Sequence, residues 1–362
     1  MDPTKPSLEL VRSLTDEHVL RALMRHRRLT RAELATETGI SKPTAGESVR
    51  RLSLAGLLVD TGERTPGGRG RGRVGTYYAL ADVGTALAVS IAPEGVVAER
   101  VDAYGDVVAR AEQKVARPAR PERVATALRG AVSGAVSGPP ARLAVVSAAD
   151  PVDRASGRMI HLPDSPFLLG ELDPLQVLEP LVPGPVTVDN DVNWAARAER
   201  DGTEDFAYLF LGEGLGCAIV SDGEVRRGAS GLAGEVAHLL TTGPDGRAAR
   251  FIDVFEALGL RRPDSTAIDV DRLRGADAGV RDALGEAVSG VLAAILALAD
   301  PEYVIVGGPW GSDPAVLGAI TAAAERQPRQ VPVRAPSILD EPSLTGARLD
   351  AVRRLRAAII AG

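Results

Sequence analysis

Residues 186–240 decide the fold of this chain, and they read VTVDNDVNWAARAERDGTEDFAYLFLGEGLGCAIVSDGEVRRGASGLAGEVAHLL. The β-branched run 186–188 predicts a strand that leads into Asp189, Asn190 and Asp191, and a helical pattern follows to about residue 200. Further strands are predicted at 206–211 and 217–221. Carboxylates therefore follow strand ends beside glycine turns, where an α/β sheet binds its ligands.

Length and composition predict two or three globular domains. The chain has 362 residues and is 45% hydrophobic but only 3% aromatic, so its cores must consist of Ala, Val and Leu. No apolar run approaches the roughly 20 residues of a membrane span, and MDPTKPSLEL lacks the apolar region of a signal peptide. We expect a cytoplasmic protein. A single cysteine, Cys217, excludes an internal disulfide and a cysteine-rich zinc site.

Charge is divided unevenly along the chain. Residues 1–80 contain 14 Lys/Arg and 9 Asp/Glu, whereas the remainder contains 28 and 39. A basic segment ahead of an acidic body indicates that the first 80 residues contact a polyanion and the body does not.

Residues 1–80 are predicted to form a winged helix-turn-helix. A first helix is expected at 15–27 with Thr15 as its N-cap, and a second begins at Thr30, where Glu33 completes a capping box, and ends at Gly39. A third helix begins at Ser41 and runs to about residue 55. Predicted strands at 57–60 and 76–80 complete the hairpin.

The third helix is the predicted DNA reader, because a recognition helix meets base edges with its N-terminal half. The residues expected to face outward there are Ser41, Lys42, Thr44, Ala45 and Ser48. Arg50 and Arg51 follow at a distance that suits phosphates. The alternative is a surface helix with ordinary solvated charges.

The wing alternates glycine and arginine over residues 67–73, which include Arg69, Arg71 and Arg73. Such a slim cationic strip can enter the minor groove, where narrow A·T tracts concentrate negative potential. The alternative is a solvated loop that only adds phosphate affinity, and both interpretations make the wing a DNA contact.

Beyond residue 80 the pattern is that of an α/β body. Strands are predicted at 86–91, 96–102, 107–115, 143–148 and 303–306, and helices at 118–136, 250–259, 276–299, 314–326 and 344–361. Residues 151–183 are rich in proline and read as irregular. The last helix is expected to pack back on the first half of the body.

In their order and in the strands between them, three motifs of the body resemble the ROK family of bacterial repressors and sugar kinases. They are Asn190-Asp191, 212–216 and 234–238. The resemblance implies a two-lobed actin-like (ribonuclease H-like) fold. Lobe 1 would comprise residues 81–190 and the C-terminal helix 344–362, and lobe 2 residues 191–343.

Both ATP-phosphate loops that the family implies are altered. The first, normally Asp-x-Gly-Gly-Thr, reads Ser-Ile-Ala-Pro-Glu at 90–94, and the second, normally Gly-Thr-Gly-x-Gly, carries Glu213 in place of the hydroxyl. A phosphate loop needs backbone N–H groups with neutral or cationic side chains, and glutamates would repel a triphosphate. We therefore expect no ATP site and no catalytic residue.

The residues with which the family binds its sugar are retained more fully in this sequence than the two phosphate loops. The resemblance implies a ring of ligand-binding residues formed by Asp164, Asn190, Asp191, Glu235, His238 and Glu256. Carboxylates accept hydrogen bonds strongly from the hydroxyls of a polyol. The structural alternatives are a helix cap for Asp191, a core histidine for His238, and no ligand role for Glu256 and Asp164.

The zinc site of the family combines that histidine with three cysteines, but the corresponding segment 245–255 contains none. Four ligands are needed, so we expect no zinc and no other cofactor. This loss leaves open whether the ligand is unusual or absent, because the zinc loop normally orients His238.

The leading hypothesis is a ROK-type transcriptional repressor, cytoplasmic and nucleoid-associated, that binds double-stranded operator DNA as a homodimer or dimer of dimers. A sugar or another small metabolite in the cleft between the lobes would modulate binding. One alternative is a sugar kinase with an appended DNA-binding head. Another is a ligand-independent DNA-binding protein whose pseudo-kinase body only dimerises.

Overall fold

The computed structural model describes residues 8–65, 74–117, 119–135, 138–162 and 165–362. The predicted wing arginines Arg69, Arg71 and Arg73 and the predicted ligand residue Asp164 lie outside these ranges.

The N-terminal part is a winged helix-turn-helix, as predicted. Its antiparallel sheet has the order β1-β3-β2, and α2 and α3 form the helix-turn-helix. The elements are α1 (Leu8–His26), β1 (Arg28–Thr30), α2 (Arg31–Thr38), α3 (Lys42–Leu54), β2 (Leu58–Arg64) and β3 (Thr76–Leu80). The short β1 was not predicted, because three residues are too few to show a periodic pattern.

The ends of α2 follow their local sequence closely. Thr30 accepts a hydrogen bond from the Glu33 N–H, and the Glu33 carboxylate accepts one from the Thr30 N–H, so the predicted capping box is confirmed. Gly39 ends the helix with φ 72°, a conformation that glycine adopts without steric cost.

The predicted start of α1 at Thr15 is wrong, because the helix already begins at Leu8. Thr15 is buried within the helix, and its hydroxyl donates to the carbonyl of Val11 at 2.7 Å. A threonine can satisfy its hydroxyl in this way inside a helix, so the residue alone did not mark a helix start.

The first half of the body is built on a mixed five-stranded sheet with the order β6-β5-β4-β7-β8. Strands β4, β5 and β6 are antiparallel neighbours, whereas β4, β7 and β8 run parallel. The elements are β4 (Ala86–Ala92), β5 (Gly95–Val101), β6 (Val107–Gln113), α4 (Pro121–Gly134), β7 (Ala144–Ala148), α5 (Pro174–Leu178) and β8 (Val186–Asn190).

The second half repeats this arrangement with a sheet of order β11-β10-β9-β14-β15 and a small hairpin, β12-β13. Its strands are β9 (Phe206–Leu211), β10 (Leu215–Ser221), β11 (Glu224–Val225), β12 (Leu240–Thr242), β13 (Ala248–Arg250), β14 (Val304–Gly307) and β15 (Val333–Arg334). Its helices are α6 (Asp191–Ala198), α7 (Phe251–Ala257), α8 (Val270–Arg274), α9 (Ala278–Ala299) and α10 (Pro314–Glu325).

The C-terminal helix α11 (Pro342–Ala361) packs back on the first half of the body, as predicted, and contacts β4, β7 and α6. Gly346 makes the close approach to α6 possible, since a Cβ built there would lie 1.9 Å from the carbonyl oxygen of Trp194. The same helix reaches the winged helix-turn-helix, because Leu355 and Ile359 share one apolar cluster with Leu23.

Helix α9 corrects the expectation that no apolar run approaches the length of a membrane span. It has 22 residues with a mean hydropathy of 1.7, enough by length and composition to cross a membrane. Half of the most apolar 18-residue stretch of the helix is buried inside the protein. Leu284, Val288 and Leu292 belong to the core of the second half of the body. The burial is that of a core helix.

Candidate functional site

The exposed N-terminal half of α3 forms the candidate DNA-facing surface. Ser41 caps the helix by accepting a hydrogen bond from the Thr44 N–H at 3.2 Å, and the two hydroxyls lie 2.7 Å apart. Ser41, Lys42, Thr44 and Arg50 are all exposed. Arg50 is paired with Glu47 through bonds of 2.7 and 3.0 Å, so a phosphate would have to compete with that carboxylate.

Two residues predicted to face DNA are instead buried in the head. Ala45 and Ser48 are fully buried, and the Ser48 hydroxyl donates to the Asp16 carboxylate of α1. Arg51 donates to the same carboxylate at 2.7 and 3.1 Å. The 3.6-residue helical repeat places positions 45, 48, 49 and 52 on the face toward α1 and α2, so these side chains hold the reader helix in place.

A cavity of about 240 Å³ lies where the first strands of the two halves of the body end. Four of the six predicted ligand residues line it, namely Asn190, Asp191, Glu235 and His238. Its apolar walls include Leu162, Pro166, Phe167 and Phe210. A small polar molecule between apolar faces would match this combination.

Asn190 and Asp191 are positioned by the start of α6. Asn190 is the N-cap, because its Oδ1 accepts from the Val192 N–H at 3.0 Å and its amide donates to the carbonyls of Ala148 and Asp150 at 3.3 Å. Asp191 begins the helix at the cavity, as predicted, and its Oδ1 accepts from the same N–H at 2.8 Å. The role of cap that was considered for Asp191 therefore belongs to Asn190.

Three carboxyl groups at or beside the cavity have raised pKa values: Asp191 and Glu235 line it, and Asp150 is buried between the lining residues Ala149 and Pro151. Burial, reinforced by Asp150, Glu235 and Glu94, raises the pKa of Asp191 to about 7. Partial desolvation by the walls of the cavity, together with Asp150, raises the pKa of Glu235 to about 7, although the residue as a whole is still exposed to solvent. Burial raises the pKa of Asp150 to about 6, although bonds from Ser165 and Leu168 oppose the shift. Near pH 7, Asp191 and Glu235 can therefore both donate and accept hydrogen bonds.

Asp150 was not identified from the sequence. It is 1% exposed, and its carboxylate accepts from the Ser165 hydroxyl at 2.5 Å and from the Leu168 N–H at 3.1 Å, which holds the loop beside the cavity. A signal was available, since β7 and β8 are parallel neighbours in which Ala148 pairs with Asn190. Polar residues just after neighbouring parallel strands meet at the same sheet edge.

Glu256, in contrast, lies outside the cavity. Helix α7 turns its apolar residues Phe251, Val254 and Phe255 into the core, and the Glu256 side chain is 70% exposed and paired with Arg261 at 3.1 Å. The prediction of a ligand contact for Glu256 is wrong in this arrangement.

The carboxylate of Glu213, in the altered second loop, is paired with two arginines. It forms ion pairs with Arg117 at 2.6 Å and with Arg262 at 2.8 Å. Neither arginine was identified from the sequence, because both lie in irregular segments far from the motif. The expected repulsion of phosphate by Glu213 is therefore reduced, since two guanidinium groups already neutralise the carboxylate.

A second cavity, of about 730 Å³, lies beside the altered first loop and is lined by Ser90, Glu94, Lys114, Tyr208 and Arg274 among others. The Tyr208 hydroxyl is buried and has no hydrogen-bond partner among the described residues. In the described part of the chain, no group of three or more His, Cys, Asp and Glu side chains is arranged to hold a metal ion.

Comparison with known proteins finds a matching family model in each of the two parts of the chain. The ROK family model matches residues 96–250, and a winged helix-turn-helix DNA-binding model matches residues 12–59. A glucokinase of Streptomyces coelicolor is 31% identical over 170 residues, which are 45% of this chain and 52% of the glucokinase. A xylose repressor of Caldicellulosiruptor bescii is 42% identical over 59 residues, 15% of either chain.

Among solved structures, a ROK family transcriptional regulator homologous to the E. coli MLC protein has a TM-score of 0.64 and 16% identity, covering 97% of this chain and 100% of that one. At this identity the likeness concerns the fold. The chain spans about half the length of the glucokinase it matches. The chain therefore carries a ROK family domain, matched over residues 96–250, behind a winged helix-turn-helix matched over residues 12–59, and it shares the fold of a ROK regulator along nearly its whole length.

Proposed function

We propose that this protein is a DNA-binding transcriptional regulator, a repressor whose operator affinity depends on a small molecule in the cavity of its body. The observation that carries the proposal is a winged helix-turn-helix with an exposed reader surface at Ser41, Lys42 and Thr44, joined to a body with a polar cavity. The xylose repressor relative is consistent with this role.

The proposed ligand is a sugar or a similar polyol. Asn190, Asp191, Glu235 and His238 offer several acceptors and donors around one small cavity, and Phe167 and Phe210 offer the apolar faces against which a sugar ring packs. The raised pKa values of Asp191 and Glu235 favour a ligand with hydroxyl groups, which can bind to either protonation state.

The division of the chain that we propose is a DNA-binding domain at 1–80, lobe 1 at 81–190 completed by the C-terminal helix, and lobe 2 at 191–343. A homodimer or a dimer of dimers would place two reader helices on half-sites one helical turn apart, about 34–36 Å. We propose that the protein acts in the cytoplasm, on the nucleoid, without a membrane partner.

Loss of kinase activity is part of the proposal. The first phosphate loop carries this part of the proposal, because Ser90 and Glu94 stand there in place of the aspartate and the hydroxyl of the family pattern. The second loop adds less, since Arg117 and Arg262 already neutralise Glu213. The glucokinase relative supports the alternative of an active sugar kinase. Incubation of the purified protein with Mg·ATP and either glucose or xylose decides between them, with an active glucokinase as positive control. We expect no turnover above background, and turnover on either sugar would establish the kinase.

The regulatory role is tested with Asp191→Ala. The operator would be a duplex selected by the wild-type protein from a random library, and the effector the sugar, glucose and xylose first, that most raises the unfolding temperature. We expect Asp191→Ala to bind the duplex like the wild type but to lose its response to that sugar, because the loss of one acceptor costs about 1–3 kcal/mol of ligand affinity.

Glu256→Ala is the matched control, since Glu256 is an exposed carboxylate outside the cavity, and it should respond like the wild type. A full response by Asp191→Ala would exclude the cavity as the sensor. Loss of DNA binding without any sugar would assign Asp191 a structural role. If no sugar shifts the unfolding temperature while DNA is still bound, the proposal of a sugar ligand is wrong and the result favours the ligand-independent alternative.

A further inference from the structure

The turn between β5 and β6, residues 102–106, contacts the winged helix-turn-helix at the end of α1 and the end of β3. The Tyr104 hydroxyl accepts from the Leu80 N–H at 3.1 Å and donates to the carbonyl of Arg27 at 3.3 Å. The Arg27 guanidinium lies 5.4 Å from the centre of the Tyr104 ring and forms a two-point ion pair with Asp106 at 2.5 and 2.6 Å. One turn of the body therefore holds two separate elements of the head.

Arg27 has an unusual backbone for this position, with φ 68° immediately after α1. A non-glycine residue in the left-handed region carries a steric cost that the surrounding contacts must offset. Here those contacts are the bonds to Tyr104 and Asp106, together with the Arg27 N–H donated to the carbonyl of Leu23 at 2.8 Å. The conformation aims the carbonyl and the guanidinium of Arg27 at the same turn.

Hydrogen bonds within the turn hold its backbone in place. The Asp102 carboxylate accepts from the N–H groups of Tyr104, Gly105 and Asp106 at 2.9 to 3.0 Å. From the body side, Arg356 of α11 donates to the carbonyls of Ala103 and Tyr104 at 2.8 and 3.1 Å. A movement of α11 would therefore carry the turn with it.

Helix α11 in turn contacts the helix that begins at the ligand cavity. Its Gly346 lies against the backbone of Trp194 in α6, and α6 begins at Asp191. The Trp194 indole is fully buried and donates to the carbonyl of Val146 at 3.0 Å, so α6 is fixed to the sheet as well. The contacts run without interruption from the cavity through α6 and α11 to the turn and the head.

We propose that the turn 102–106 is the positioning element that fixes the direction of the DNA-binding head relative to the body and joins it to the cavity through α11 and α6. Tyr104 and Asp106 act as positioning residues, since their described contacts are with the head and the body. The inference rests on the proposed DNA-binding function. It adds that this turn determines which spacing between two DNA half-sites a dimer prefers, because it fixes the direction of each DNA-binding head.

The test uses the full-length protein with Asp106→Arg, which places two like charges opposite each other, and the exchange Arg27→Asp with Asp106→Arg, which restores the pair. Aspartate also tolerates the left-handed backbone at position 27 better than most residues. Glu171→Arg is the control, because it makes the same change of charge in the exposed pair with Arg158, on the body.

The first readout is amide hydrogen exchange without DNA. We expect Asp106→Arg to speed exchange in peptides covering residues 20–30 and 76–83, the exchange variant to restore protection, and the control to match the wild type. Unchanged protection in Asp106→Arg would overturn the docking role of the turn, whatever the protein binds.

The second readout compares two duplexes, the one selected by the wild type and one in which the half-sites are moved apart by about 5 base pairs, half a helical turn. A loosened head should lower the preference for the selected spacing by on the order of tenfold, because a flexible connection reaches both geometries. Affinity for a single half-site should stay unchanged, which a disrupted DNA surface would not allow.

The two failures can be told apart. If the wild type selects no sequence, the proposed function fails, while hydrogen exchange still tests the docking of the head. If the wild type discriminates spacing and Asp106→Arg discriminates equally well, the positioning role is wrong and the proposed function stands.

Discussion

The position of Asp191 at the cavity determines the protonation state of its carboxyl group. Burial and three neighbouring carboxyl groups raise its pKa to about 7, so the folded protein holds a proton there that the unfolded chain, with an ordinary pKa near 4, releases. The folded state therefore binds more protons between about pH 4 and pH 7. The contribution of this group to stability is favourable at the acid end of that window and decreases as pH rises through 7.

Asp191→Asn should remove this dependence while its Oδ1 still accepts from Val192. We expect the variant to unfold several degrees above the wild type at about pH 8, and the difference to shrink toward pH 5. Thermal unfolding followed by circular dichroism at several pH values measures it. A difference that grows toward acid pH would have the wrong sign and would show that the carboxylate is stabilised by a partner.

At the scale of elements, the crossing of α6 and α11 depends on a missing side chain. A Cβ at Gly346 would lie 1.9 Å from the carbonyl oxygen of Trp194, so Gly346→Ala must push the two helices apart. We expect a loss of about 1–3 kcal/mol or more in the free energy of unfolding.

Gly318→Ala in α10 is the matched control, because a Cβ there meets nothing within 4 Å. It should stabilise the protein by up to about 1 kcal/mol through helix propensity alone. Chemical denaturation of both variants gives the comparison, and equal stabilities would mean that α11 does not approach α6 so closely.

For the whole molecule, the uneven charge predicts how DNA binding depends on salt. The first 80 residues are basic and the remainder acidic, and the wing contributes Arg69, Arg71 and Arg73. Replacing these three with Ala should weaken DNA binding, and each lost phosphate contact should reduce the slope of log affinity against log salt by about 0.9.

A salt titration by fluorescence anisotropy measures that slope. The control replaces Arg226, Arg247 and Arg329 of the body, which removes the same charge from the part of the chain not expected to touch DNA. An unchanged slope in the wing variant, or an equal change in the control, would remove the wing from the interface.

Local chemistry accounts for what was predicted well in the fold. The capping box of Thr30 and Glu33, the glycine at 39 and the strands at 76–80 and 206–211 follow from interactions within a few residues. The start of α1 was misplaced at Thr15 because a threonine can satisfy its hydroxyl inside a helix as well as at its end.

The sequence by itself determined the winged helix-turn-helix, the α/β body and four residues that meet at one cavity, Asn190, Asp191, Glu235 and His238. The helices and strands follow from periodicity and turns, which are local, whereas the four residues follow from the resemblance of their motifs to the ROK family. Only the tertiary structure decided that Ala45 and Ser48 face inward, that Glu256 points away, and that Asp150, Arg117 and Arg262 join the site. Those outcomes depend on which faces pack together, and residues distant along the chain meet only when the core forms.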